Sequence, residues 1–123
     1  AGVQKVLILE KFRRVMLAMC YLELEQLKYL GPVLENFRNM CIKKKVFQKP
    51  EKMVVECLTR LSSTNNNKES WKLCEHYLQL FSKQGLKDHL LIVQTKFIDY
   101  LTLKVSASGN QITISESSLP TED

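Results

Sequence analysis

The stretch "YLGPVLENFRNMCIKKKVFQKPEK", residues 29–52, decides how the chain folds. It contains Pro32 and Pro50, and between them apolar residues recur three and four apart, at Val33 or Leu34, Phe37, Met40 and Cys41, which is the period of one helix face. Proline suits the first turn of a helix, where its missing N–H would have had no intrahelical partner. Gly31-Pro32 therefore reads as a stop followed by a restart, and Lys49-Pro50 as the same device used again. A second helix is expected from Pro32 to about Lys45, and the chain as a whole is expected to consist of helical hairpins.

Upstream, residues 3–30 carry apolar positions at Val6, Leu9, Val15, Met16, Met19, Leu22, Leu27 and Leu30 with no proline between them. They read as one long helix, or two with a bend. Around Met16 to Leu24 nearly every side is apolar, so this segment is expected at the centre of the fold. Downstream, Met53, Val54, Cys57, Leu58 and Leu61 give a third helix its buried face. "SSTNNN", residues 62–67, is the clearest loop, and Asn66 followed by Glu69 resembles a capping box that opens a fourth helix. Trp71, Cys74, Leu78 and Phe81 form its stripe, with Gly85 as the stop. A fifth helix is expected over residues 87–105, burying Leu90, Leu91, Val93, Phe97, Ile98 and Leu101.

From Ser106 onward the composition turns to Ser, Thr, Gly, Asn and acid, which buries too little apolar surface to offset ordering entropy. The expected fold class is all-α: a compact bundle of about five helices built from helical hairpins over residues 1–106, with a disordered acidic Ser/Thr tail at 107–123. A solenoid-like stack of hairpins is the alternative. The tetratricopeptide pattern is not met, because a Trp71 anchor would put Glu75 where glycine belongs and Lys87 and Gln94 where alanines belong.

Composition narrows the classes of function. The longest uninterrupted apolar run, "VMLAMCYL" at 15–22, is far short of the roughly 20 residues that cross a bilayer, so no membrane span is expected. Cys20, Cys41, Cys57 and Cys74 each fall in an apolar helical stretch and read as small buried hydrophobes with free thiols. That points to a reducing, intracellular location, nuclear or cytoplasmic. The chain begins without Met and ends in a polar tail, which suggests a domain of something longer. Residues 1–106 carry a net charge of +8 and the remainder −3, favouring acidic partners.

Constellations for chemistry are lacking in the sequence. His76 and His89 fall on different expected helices with no nucleophile context, no two cysteines stand in a C-x-x-C knuckle, and the four glycines lie too far apart to cradle a phosphate. Glu23 and Glu25 diverge on a helix. The expectation is a non-enzyme with no catalytic residues, no metal and no cofactor.

The candidate site is the basic edge at the junction of the second and third helices: Arg38, Lys43, Lys44, Lys45, Phe47, Lys49 and Lys52, with Trp71 as a further anchor. Lysines that close a helix also complement its dipole, so a solvated junction already accounts for part of this run. The leading expectation is a protein-protein interaction module of a larger scaffold, adaptor or regulatory protein, receiving an acidic or amphipathic segment in a groove between helices. A nucleic-acid-binding domain using the same cations on phosphates stands second. A secreted cytokine-like bundle with paired cysteines stands third. In the tail, "QITISESS" has the alternation of a segment that adds to another protein's sheet edge.

Overall fold

In the computed structural model, secondary structure is described for residues 2–117 and side chains for residues 5–107. Among the described residues six helices follow one another: α1 (Gly2–Glu23), α2 (Leu27–Lys43), α3 (Lys49–Ser62), α4 (Asn67–Lys83), α5 (Leu90–Gln94) and α6 (Phe97–Ser117). Among the described residues there is no strand. The all-α bundle of helical hairpins is therefore the architecture. α4 packs most extensively on α6 and α1 on α2, and α1 also touches α5, a contact that a linear stack of hairpins would not make. The expected tail, residues 107–123, lies outside the described side chains apart from Ala107, and α6 runs through Ser117.

Two helix boundaries differ from the sequence expectation for one shared reason. The first helix ends at Glu23, because Glu25 adopts a left-handed φ of 56° and the Glu25 and Gln26 amides bond back to the Leu22 and Tyr21 carbonyls. This is a Schellman ending built on glutamate instead of glycine. Gly31 and Pro32 consequently lie inside α2, with Pro32 at its sixth residue. There the proline removes one hydrogen bond, and the carbonyl it leaves belongs to Lys28, an exposed residue. Gly31, with no Cβ to meet the proline ring, tolerates the helical conformation before it.

The expected fifth helix is likewise divided. Lys96 has φ 55°, Thr95 is buried with its hydroxyl donating to the Leu91 carbonyl at 2.7 Å, and α6 restarts at Phe97. Residues 87–89 precede α5, whose first turn is capped by His89 Nδ1 accepting from the Leu91 amide at 3.2 Å.

The core centres on α3, and this corrects the expectation that Met16–Leu24 would be central. Seven residues of α3 are buried: Pro50, Glu51, Met53, Val54, Cys57, Leu58 and Leu61. Among the described residues of α1 only Val15 and Ala18 are fully enclosed. Leu34, Phe37 and Cys41 meet α3 from one side and Cys74, Tyr77 and Phe81 from another. Phe81 stacks edge-on against Phe97 at 5.6 Å, joining α4 to α6. Truncation of a fully buried residue such as Leu58 to Ala would cost about 2–5 kcal/mol.

Burial is the expected state of all four thiols, and it holds for Cys41, Cys57 and Cys74; Cys20 is exposed. The reason is rotation along α1, whose inward positions are Val15, Ala18 and the partly buried Leu22. Burial pushes the Cys41 and Cys74 thiols up to about 11 and the Cys57 thiol higher still.

Two polar devices fix the helix starts. Asn66 Oδ1 accepts from the Glu69 amide at 2.9 Å, as the sequence spacing implies, and the Glu69 carboxylate accepts from the Asn65 amide at 2.8 Å, one residue before the partner a capping box would use. At α3 the buried Glu51 accepts from the Gln48 amide at 3.0 Å and also from Lys11 of α1, so one carboxylate caps a helix and bolts α1 to it.

Candidate partner-docking site

Phe47 sits in the short connection between α2 and α3, half-buried, with the Arg38 guanidinium 5.8 Å and the Lys52 ammonium 5.9 Å from its ring centre. Both lie at the outer reach of cation–π attraction, each pair contributing about 0.5–1 kcal/mol when exposed. The ring thus holds a cation from each helix at one end of the α2/α3 seam.

From that end an open groove of about 260 Å³ runs between the two helices, lined by Leu27, Leu30, Gly31, Leu34, Glu35, Arg38, Val55, Thr59 and Ser62. Its geometry follows from helical spacing. Lys52, Val55, Thr59 and Ser62 lie three and four apart on α3, and Leu27, Gly31, Leu34 and Arg38 do the same on α2. Because the helices form an antiparallel hairpin, Arg38 and Lys52 share one end while Leu27 and Ser62 share the other. Gly31 adds depth: a Cβ built there would meet nothing within 4 Å, so the floor is open above the glycine.

Lys43, Lys44 and Lys45 are exposed at the C-terminal end of α2, where their charge complements the helix dipole. Lys45 has φ 61° and occupies the left-handed position of a second Schellman ending, with Val46 bonding back to the Cys41 carbonyl at 2.8 Å. Lys49 donates to the Gln84 side chain at 2.7 Å, tying the edge to the end of α4. Among the described residues, none of Arg38, Lys43, Lys44, Lys45, Lys49 and Lys52 pairs with a carboxylate. The nearest acid in sequence, Glu51, is spent on Lys11 and the α3 cap.

Trp71 belongs to a different place. It is half-buried near the start of α4, in a cleft shared with Tyr100, Leu103 and Lys104. Lys49 contacts the far end of that helix, so Trp71 and the basic edge are separated by about 20 Å along the α4 axis. The anchor and the lysines do not converge. Next to Trp71, Glu23 accepts from both Tyr100 (2.6 Å) and Lys104 (2.5 Å). Burial alone would raise the Glu23 carboxyl, but those two hydrogen bonds prevail and lower it, while burial and Glu23 together raise the Tyr100 hydroxyl. This cluster joins α1 to α6 and is internally satisfied.

Val55, Thr59 and Gly31 are site residues that sequence reasoning passed over. The signal for Val55 and Thr59 was the second stripe on α3, polar and apolar mixed at spacings of three and four from Lys52, and for Gly31 its place between Leu27 and Leu34 on one face of α2. Among the described residues no three His, Cys, Asp or Glu side chains are grouped to hold a metal, and no helix is long and apolar enough to cross a membrane. No family model matches the chain, and neither a curated protein nor a solved structure shows significant similarity to it.

Proposed function

We propose that this chain is a protein-interaction module whose α2/α3 groove receives an amphipathic segment, apolar side chains over Leu34 and Val55 and acidic ones at the Arg38–Phe47–Lys52 end. The observation that carries this reading is the conjunction of a partly apolar groove with unpaired cations from both helices gathered round one ring at its mouth. A surface kept basic only for solvation would not need that aromatic between its charges. Fixed charge at a groove mouth sets the direction in which a segment lies and speeds its arrival. Burying the apolar side of the segment then slows its departure.

The test uses fluorescence anisotropy with labelled acidic amphipathic peptides and with a labelled DNA duplex of mixed sequence. Thr59→Trp fills the groove from an exposed position, and Arg38→Glu with Lys52→Glu reverses the mouth. Both changes should weaken peptide binding by about tenfold or more, the charge reversal more strongly at low salt. Duplex binding that is tighter than any peptide, falls steeply with salt and ignores Thr59→Trp would replace this reading with the nucleic-acid one.

A further inference from the structure

α1 is apolar on two opposite faces, and only one of them is used. Val15 and Ala18, with the partly buried Phe12, Met19 and Leu22, pack inward against the bundle. On the other side Val6, Leu9 and Met16 are 67, 64 and 49% exposed, and Cys20 is exposed among them. Among the described residues no helix lies over this side: α1 packs on α2, α3 and α5, and meets α6 only through Glu23 at its C-terminal end. The contrast within the molecule is sharp: the outward side of α4 carries Lys72, Glu75, His76, Gln79 and Lys83, all exposed, as a hydrated helix should. Exposed apolar residues opposite a helix's buried face are the mark of a helix covered on both sides.

The spacing says what kind of element covers it. Val6, Leu9, Arg13, Met16 and Cys20 recur at intervals of three, four, three and four, one continuous face of α1, a seam that a facing helix can fit with knobs into holes. The one charge in that seam says what the facing helix carries. Arg13 stands at its middle with 61% of its side chain exposed, and its one acid among the described residues, Glu10, is shared with Arg14. The trio keeps a net positive charge. A second copy of this chain laid on the seam would bring two such trios together, in a protein of formal net charge +5.

We infer that the outward face of α1 is a second docking seam, distinct from the α2/α3 groove, for an amphipathic helix of another protein that sets leucine-like residues along the seam and an acidic residue against Arg13. A charged position in an apolar seam selects register and partner at some cost in affinity, because a mismatched helix sets a neutral or positive residue against a trio that keeps a net positive charge.

The experiment uses the full chain and a fluorescent designed helical peptide with leucines at the seam positions and glutamate at the position facing Arg13, alongside the same peptide with lysine there. By anisotropy the glutamate peptide should bind about tenfold more tightly than the lysine peptide, and Arg13→Glu should invert that order. Leu9→Asp with Met16→Asp should abolish binding of both, with unchanged far-UV circular dichroism; Leu9→Gln with Met16→Gln serves if the aspartates perturb folding. Thr59→Trp should leave this binding untouched, which separates the seam from the groove. Failure of the glutamate peptide to bind, equal affinity for the two peptides, or binding that survives the seam substitutions would overturn the inference. So would a dimer of the chain alone, seen by sedimentation velocity, that dissolves on Leu9→Asp.

Discussion

Replacing Pro32 by alanine decides between two architectures. If the second helix began at Pro32, the proline would be favourable at its first position, and alanine there would leave stability unchanged or lower it by up to about 1 kcal/mol through the freer unfolded chain. In the structure, however, Pro32 is the sixth residue of α2, and its ring faces the Lys28 carbonyl that should accept an amide. Proline in a helix interior is about 3 kcal/mol worse than alanine. Exposure of both residues lets water satisfy part of the loss, leaving about 1–2 kcal/mol to regain, against roughly 0.4–1 kcal/mol returned to the unfolded state. The net expectation is a gain of about 1 kcal/mol, or roughly 3–5 °C in Tm for a domain of this size. Urea and thermal unfolding followed by circular dichroism measure the gain. Hydrogen exchange supplies the mechanism, since the alanine introduced by Pro32→Ala should show a protected amide. A lower midpoint, or a new amide that exchanges as fast as one in a loop, would refute the placement of the helix start at Leu27. Because Pro32 does not line the α2/α3 groove, peptide binding there should not change.

Three further outcomes follow from the same geometry. Glu51→Ala strands Lys11, whose side chain is 13% exposed, and removes the α3 cap, so it should cost about 3–5 kcal/mol; Lys11→Met with Glu51→Met should recover most of this, and a double-mutant cycle should return a coupling of about 1–3 kcal/mol. In native protein an aromatic disulfide reagent should modify Cys20 quickly and Cys41, Cys57 and Cys74 only on unfolding; more than one fast thiol would contradict the packing. Hydrogen bonds from Arg13 and Arg14 hold the Glu10 carboxyl at about 2, below its ordinary 4.5, so its contribution is complete above pH 4.5 and vanishes as pH falls towards 2. An NMR titration should place its midpoint near 2, and Glu10→Gln should flatten that part of the stability profile by no more than about 1 kcal/mol, the ceiling for a surface pair.

How much of this was legible can be judged from the junctions. The α2-to-α3 turn with Pro50, the Asn66–Glu69 start of α4 and the Gly85 stop were readable, because each uses the residue type that its backbone demands; Gly85 indeed has φ 70°. The breaks at Glu25 and Lys96 were not, because residues that ordinarily favour helix stand where glycine is the usual choice, and tertiary packing overrides the local preference. Gly31-Pro32 then carried a false signal. For the site, the cations and Phe47 were visible as composition. That Arg38 and Lys52 meet on one ring while Trp71 lies a helix length away depends on register across the hairpin, which no local pattern encodes.

The left-handed conformation at Lys45 has a consequence for how this surface can change. A side chain there costs about 1 kcal/mol relative to glycine. Lys45→Gly would therefore make the fold hardier while deleting a cation from the edge, whereas Glu25→Gly offers the same relief without touching it. A library selected for heat resistance alone should accept glycine at both positions. One selected also for retention of a bound partner should accept it at 25 and refuse it at 45, so the tolerated alleles would report whether that charge is wanted.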